Sequence, residues 1–267
     1  MSPTRVAEVF ARAAAQQRAA LIGYLPAGFP SVAGGIAAMR AIVAAGVDVV
    51  EVGLPYSDPV MDGPVIQQAT GRALAAGVRI RDVLHTVEQV AATGAAVVVM
   101  SYWNPVERYG VDAFARDLAA AGGAGLITPD LIPDEADEWL AASDTHHLER
   151  IFLVSPSSTD QRLAMTTAHC RGFVYATAVM GVTGVREHTS AAAPELVARV
   201  RKVAPELPVG VGLGVRDRAQ AATVAGYADG VIVGSALVSQ LLAAPDESTG
   251  LARVEALAAE LAAGVRR

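Results

Sequence analysis

The sequence predicts a closed (β/α)8 TIM barrel with one extra helix ahead of its first strand. Eight short apolar runs recur along the chain, the pattern of parallel strands buried on both faces. Helical stretches separate them, and regular β/α alternation builds a parallel sheet. Eight such units favour closure over an open, doubly wound sheet. The first strand-to-helix turn, "YLPAGFPS", also lacks the G-x-G-x-x-G fingerprint of dinucleotide folds. No linker, low-complexity tract or composition break interrupts the alternation, so residues 1–267 read as a single barrel domain.

The opening segment, "MSPTRVAEVFARAAAQQR", reads as an amphipathic helix. The strands follow at "LIGYL" (from Leu21), "DVVEVGL" (from Asp48), "AAVVVMSY" (from Ala95) and "GLIT" (from Gly125). Four more lie at "RIFLV" (from Arg150), "GFVYAT" (from Gly172), "PVGVGLG" (from Pro208) and "GVIVGS" (from Gly230). Between them, "SVAGGIAAMRAIVAAG" has Ser31 as N-cap and Gly46 just past its end. "VIQQATGRALAAG" and "RDVLHTVEQVAATG" stop at Gly77 and Gly94. "GVDAFARDLAAAGG", "DEADEWLAA", "STDQRLAMTTAH", "APELVARVRKVA" and "VRDRAQAATVAG" fill the later gaps, and "TGLARVEALAAELAAG" closes the chain.

Composition narrows the function. Hydrophobic residues make up 52% of 267, enough for a large core. A net charge of −6 argues against a basic groove for nucleic acid. The N-terminal stretch has no uninterrupted apolar segment of signal-peptide type, and no run of about 18 apolar residues predicts a membrane span. The single cysteine, Cys170, has no partner for an internal disulfide. Together these lead us to expect a cytoplasmic protein.

Barrel chemistry sits at the C-terminal ends of the strands and in the loops beyond them. Glu51 lies there on the second strand, inside "EVGLPYSDPVMDGP". Alternation puts Val49, Glu51 and Gly53 on one face and Val50 and Val52 on the other. A glutamate facing the helix layer would be buried in hydrocarbon. Facing the barrel mouth is less costly, and partial desolvation there raises its pKa and suits it to proton transfer. Asp62 follows in a loop anchored by Pro55, Pro59 and Pro64, which can fold back over the same mouth.

The loops after strands seven and eight suit an anion. "GLGVRDR" places Gly212 and Gly214 after strand seven, and "VGSALV" places Gly234 and Ser235 after strand eight, at a helix start. Free N–H groups and the helix dipole there favour phosphate, as in many barrels. The long turn "MGVTGVREHTS", with Gly181 and Gly184, suits a lid. Tyr24, Tyr102 and Tyr175 near strand ends suggest a flat apolar part in the ligand.

Two chemistries fit poorly. A Schiff-base aldolase needs a lysine at a strand end. Lys202 is the only lysine, and it falls in the helix before strand seven. A metal-dependent enzyme needs clustered ligands. His85, His146, His147 and His169 fall in helices or in connections leading into strands, the adjacent His146 and His147 as exposed surface residues; only His188 is in a mouth loop. No metal site is evident, and acid–base chemistry by carboxylates remains.

At this point the residues resemble a family. "EVGLPYSDPVMDGPVIQ" closely resembles the signature of tryptophan synthase alpha subunits. "GYLPAGFP", "MSYWNPVERYG", "PDLIPDEA", "GVTG", "GLGV" and "VGSALV" match its other blocks in order, over nearly the whole chain. "YLPAGFP" and "YSDPVMDG" depart from the commonest forms "VTAGDP" and "FSDPLADG", without touching either acid.

The resemblance implies a lyase that splits indole-3-glycerol phosphate into indole and glyceraldehyde 3-phosphate in tryptophan biosynthesis. It implies Glu51 as the proton shuttle and Asp62 as the partner of the indole N–H. Tyr175 would stand beside the reacting atoms, and Thr183 would be the lid residue that meets Asp62. Gly184, Gly214, Gly234 and Ser235 would cradle phosphate, while Tyr24, Tyr102 and Leu213 would line the indole slot. It implies no cofactor in this chain. The partner would be a pyridoxal-phosphate beta subunit in an α2β2 complex, met through the loop that holds Pro55 and Asp58. Two other readings stay open: another phosphate-binding barrel isomerase or synthase, and a catalytically silent barrel that only activates a partner.

Overall fold

The computed structural model describes residues 5–177, 192–212 and 214–266. The strands are β1 (Ala20–Pro26), β2 (Val49–Gly53), β3 (Ala96–Met100), β4 (Gly125–Thr128), β5 (Glu149–Val154), β6 (Val174–Thr177), β7 (Val209–Gly212) and β8 (Gly230–Val233). Each pairs in parallel with the next, and β8 returns to β1, closing the expected barrel.

Strand alternation sorts the core into two layers. Ile22, Val49, Val98, Ile127, Ile151, Phe173 and Ile232 point into the barrel. Val50, Val52, Val97, Val99, Leu126, Phe152, Val174 and Val231 point outward and pack under the helices. With both faces buried, every position must be apolar or small, which is why the strands read as continuous runs.

The N-terminal helix Arg5–Ala15 closes the end of the barrel opposite the mouth. Its buried residues Val6, Val9, Phe10 and Ala13 follow helical spacing. The Phe10 ring lies 5.4 Å from that of Phe173, and burying a side chain of this size contributes about 1.5–3 kcal/mol. Arg18 and Asp48 form an ion pair beside this closed end. The chain ends meet there too, with Ala19 N–H donating to the Val265 carbonyl.

Helix boundaries follow local chemistry. Ser31 Oγ accepts from Gly34 N–H at 3.0 Å and starts Val32–Ala44. Gly46 and Gly77, with φ of 111° and 86°, stop the two helices expected to end there. Pro64 opens Pro64–Ala75 at its first turn, where a missing N–H costs nothing. Asp246 caps the C-terminal helix Glu247–Gly264, which therefore begins earlier than expected.

The structure corrects several details. β1 and β5 each begin one residue early, at Ala20 and Glu149, while β3 and β6 are shorter than their apolar runs. The segment read as one helix from Asp134 is a 3₁₀ turn, Pro133–Glu135, followed by the helix Asp137–Thr145. A helix not anticipated, Trp103–Tyr109, follows β3. Its Pro105 lies in the first turn, where proline is tolerated, and Trp103 N–H donates to the Asp130 carboxylate at 2.9 Å. His146 is half-buried rather than exposed, its Nε2 2.8 Å from Asp112 Oδ1. No helix among the described residues is long and apolar enough to cross a membrane.

Candidate active site at the barrel mouth

Glu51 is the third residue of β2 and faces the barrel interior, on the face shared with Val49. Register sets it beside Tyr24 of β1 and Val98 of β3. It is 1% exposed, and its Oε2 has no hydrogen-bond partner among the described residues. Burial, assisted by the charge of Asp62, pushes its carboxyl up to about 8. At neutral pH it therefore holds a proton.

Asp62 reaches the same mouth from the loop that follows β2. The base of that loop is zipped to the barrel, with Leu54 N–H donating to the Met100 carbonyl at 2.9 Å. Further on, Asp62 N–H donates to the Pro59 carbonyl, and Gln67 Nε2 donates to the Asp62 carbonyl at 2.8 Å. Burial alone pushes the Asp62 carboxyl up to about 6. It is thus mostly ionised at neutral pH, while Glu51 is mostly protonated. Two nearby acids with values held apart suit one to proton donation and the other to charge stabilisation.

Two tyrosines flank the pair, each leaning over the next strand. A Cβ on Gly53 of β2 would meet Tyr24 Oη at 2.2 Å, and one on Gly212 of β7 would meet Tyr175 Oη at 2.5 Å. Only glycine leaves room for the rings. Burial holds both phenols well above their ordinary value. After burial, the larger charge effect on Tyr24 comes from Asp62, and that on Tyr175 from Glu51.

Tyr102 caps the helix Trp103–Tyr109 at the end of β3. Its hydroxyl accepts from Met61 N–H at 2.9 Å, and its ring lies 5.2 Å from that of Tyr56. It is therefore in contact with the acidic loop. In that loop Pro55 is buried at the base, while Ser57, Asp58 and Val60 are exposed, Val60 by 74%.

On the rim after β7 and β8, Gly214 has a φ of 67°, a conformation that favours glycine. Gly234 precedes the helix Ser235–Leu242 without a side-chain cap. The first N–H groups of such a helix have no intrahelical acceptor and present a positive dipole end. Gly212 is the last residue of β7 rather than part of the turn after it. Gly181, Thr183, Gly184, His188 and Leu213 lie outside the described residues.

Sequence reading missed the roles of Gly53 and Gly212 as room for tyrosine rings. The available signal was a glycine ending each of the strands "VVEVG" and "VGVG". Among the described residues, no group of three or more His, Cys, Asp or Glu side chains is placed to hold a metal ion. Lys202 sits in the last turn of Ala192–Val203, leading into the closed end of β7.

Comparison with known proteins gives a consistent picture. Residues 10–266 match the family described as "Tryptophan synthase alpha chain". The alpha chain of Salinispora arenicola is 69% identical over 263 residues, 98% of each chain. That of Mycobacterium tuberculosis is 64% identical over 263 residues, 98% of this chain and 95% of the relative. A solved Mycobacterium tuberculosis tryptophan synthase superposes with a TM-score of 0.94 at 63% identity, covering both chains fully. The alpha subunit from Legionella pneumophila does so at 0.87 and 34%, covering 99% of each. With its eight-stranded barrel and near-complete coverage by these relatives, the chain belongs to the tryptophan synthase alpha-chain family.

Proposed function

We propose that the mouth carries out the family's lyase reaction, the retro-aldol cleavage of indole-3-glycerol phosphate to indole and glyceraldehyde 3-phosphate, as follows. The carbon–carbon bond to be broken leaves its electron pair on indole C3. An indole ring accepts that pair only after C3 is protonated, when the ring becomes an indoleninium cation. Protonated Glu51 gives C3 its proton. The resulting carboxylate takes the proton of the adjacent glycerol hydroxyl, whose carbon becomes the aldehyde as the bond to C3 breaks. The pair returns to the ring, indole leaves, and Glu51 is protonated again.

Asp62, largely ionised, accepts the indole N–H and offsets the positive charge developing there. Tyr175 stands beside the reacting atoms. Gly214, Gly234 and Ser235, with Gly184, hold the phosphate. Tyr24, Tyr102 and Leu213 line the ring slot, and Thr183 closes over Asp62.

The observation that carries this reading is Glu51 itself, a buried, protonated acid whose Oε2 has no partner among the described residues. A polar atom buried without a partner is costly, and a substrate that arrives to use it offsets that cost. The exposed crest at Ser57, Asp58 and Val60 supports a beta-subunit partner meeting this loop. In this reading one barrel domain works in a cytoplasmic α2β2 assembly, and pyridoxal phosphate belongs to the partner.

The test is indole release from indole-3-glycerol phosphate by the purified chain, with and without a beta subunit. Slow release that rises sharply with the partner supports both the lyase and its coupling through the loop. No release in either condition, from folded protein, leaves a partner-activating barrel or a different phosphate substrate.

A further inference from the structure

The acidic loop is held at both ends and at one point between. At its base, Leu54 is bonded to β3. At its far end, Gln67 of the helix Pro64–Ala75 reaches back to the Asp62 carbonyl. Between these points the loop satisfies its own groups, with Val60 N–H donating to the Asp58 carbonyl and Ser57 Oγ to Asp58 Oδ2. Such internal bonds fix the shape of a loop but not where it sits over the barrel.

Tyr102 supplies that position. It rises from the strand that neighbours β2, and its phenol oxygen accepts from Met61 N–H. The next amide, Asp62 N–H, donates to the Pro59 carbonyl within the loop. Met61 is joined to Asp62 by one planar peptide link, so an oxygen that fixes the Met61 amide also limits where the Asp62 Cα lies. The ring adds a second grip on Tyr56, six residues before Asp62. Tyr102 is 6% exposed, so water has little access to replace it as acceptor.

We propose that Tyr102 is a positioning residue for Asp62: its hydroxyl holds the Met61 amide, one peptide link before Asp62, so that the Asp62 carboxylate stands over the barrel mouth. The proposal rests on the lyase reading and deepens it. Tyr102 acts through Asp62 and through the partner-facing loop, in addition to lining the slot. Misplacing a reacting group by about 1 Å costs roughly 100-fold in rate. Tyr102→Phe keeps the ring and its contact with Tyr56 but removes the acceptor.

The experiment is a double-mutant cycle on indole release by the full chain, with Tyr102→Phe, Asp62→Asn and both together. Wild-type release is measured first. If the wild type is inactive, the lyase reading fails before Tyr102 is addressed. With an active wild type, Tyr102→Phe should lower kcat by about 10- to 100-fold and change KM by less than about threefold. In the Asp62→Asn background the same change should cost less than about threefold, because the carboxylate it positions is already gone.

Equal losses in both backgrounds would show an independent role and overturn the proposal. So would an unchanged kcat in Tyr102→Phe, or a loss confined to KM, the mark of a pocket wall. Amide exchange in the wild-type chain is a second measurement, independent of whether the variant folds. The Met61 amide should be protected at least about tenfold relative to an unstructured peptide. Exchange at the unstructured rate would overturn the proposal as firmly.

Discussion

Asp48 immediately precedes β2 and Glu51, three residues on, is its middle residue, and their surroundings are opposite. Asp48, at the closed end, has both oxygens occupied. Arg18 Nη2 donates to Oδ1 at 2.8 Å, while Arg18 Nη1 and Leu21 N–H donate to Oδ2 at 2.6 and 2.9 Å. Glu51, toward the mouth, is more deeply buried and has Oε2 unpaired among the described residues. The first acid is satisfied by its own chain and ties the barrel floor. The second has a phenol, a glycine and another acid around it, none of which neutralises it. Its environment holds a proton on it, and a ligand completes the set of partners. In the proposed function, the floor side of β2 serves stability and its mouth side serves proton transfer.

The largest effect should follow from Glu51→Gln. The amide fills the same space but neither gives nor takes a proton. Indole release should fall by about 100- to 10,000-fold, the usual contribution of a general acid–base group. Retained release would place the proton transfer elsewhere.

Stability should move the other way. An acid raised from 4.5 in the unfolded chain to about 8 in the folded one keeps its proton only when folded across that window. Stability contributed by Glu51 is therefore fully present below about pH 4.5 and is lost as pH rises toward 8. The variant lacks this slope, so its Tm should exceed that of the wild type by a margin that grows from pH 5 to pH 8. Asp62 adds a slope of the same sign, between 3.8 and about 6, to both proteins. A margin that stays flat with pH would mean that Glu51 ionises freely in the fold.

Intermediate effects should come from the two glycines under the tyrosines. In Gly53→Ala the new methyl would lie 2.2, 2.5 and 2.6 Å from Tyr24 Oη, Cζ and Cε2. In Gly212→Ala it would lie 2.5, 2.9 and 3.0 Å from Tyr175 Oη, Cε1 and Cζ. The rings are rigid and walled in by the barrel, so each phenol must shift. We expect kcat to fall by about 100-fold for the first and about tenfold for the second, in order of the overlap. The floor of the barrel should be untouched in both, with urea midpoints changed far less than kcat. A midpoint loss matching the activity loss would show instead that the mouth and the floor share one packing unit.

These glycines also mark where sequence reading ends. The barrel was legible because runs such as Val97–Val98–Val99 have no polar face, and only a doubly covered parallel strand needs none. The direction of Glu51 was legible because alternation along a strand is local. The lean of Tyr24 over Gly53 was not, since it depends on the register between β1 and β2. The same holds for Asp48 with Arg18, thirty positions apart, and for Met61 with Tyr102, forty-one apart. Chain order carries no trace of such pairs. The helix Trp103–Tyr109 was hidden for a different reason: Pro105 reads as a breaker unless the helix start is already known.

The smallest effect on catalysis should come from the floor side of β2, and it bears hardest on the contrast. In Asp48→Asn the amide oxygen still accepts from Leu21 N–H, but the charge facing Arg18 is lost. Both side chains of the pair are largely buried, at 16% and 11% exposed, so Arg18 would keep a poorly solvated charge. A stability loss of about 1–3 kcal/mol follows, or a Tm drop of roughly 2–4 °C per kcal/mol for a chain of this size. Release of indole below the new Tm should stay within twofold. Val49 and Val50, packed on opposite faces, hold β2 in register from both sides and isolate Glu51 from the change. If activity fell with the ion pair while the fold stayed intact, the floor would be setting the position of Glu51. The floor and mouth sides of β2 would then be one device, and the proton held at the mouth would depend on the salt bridge at the base.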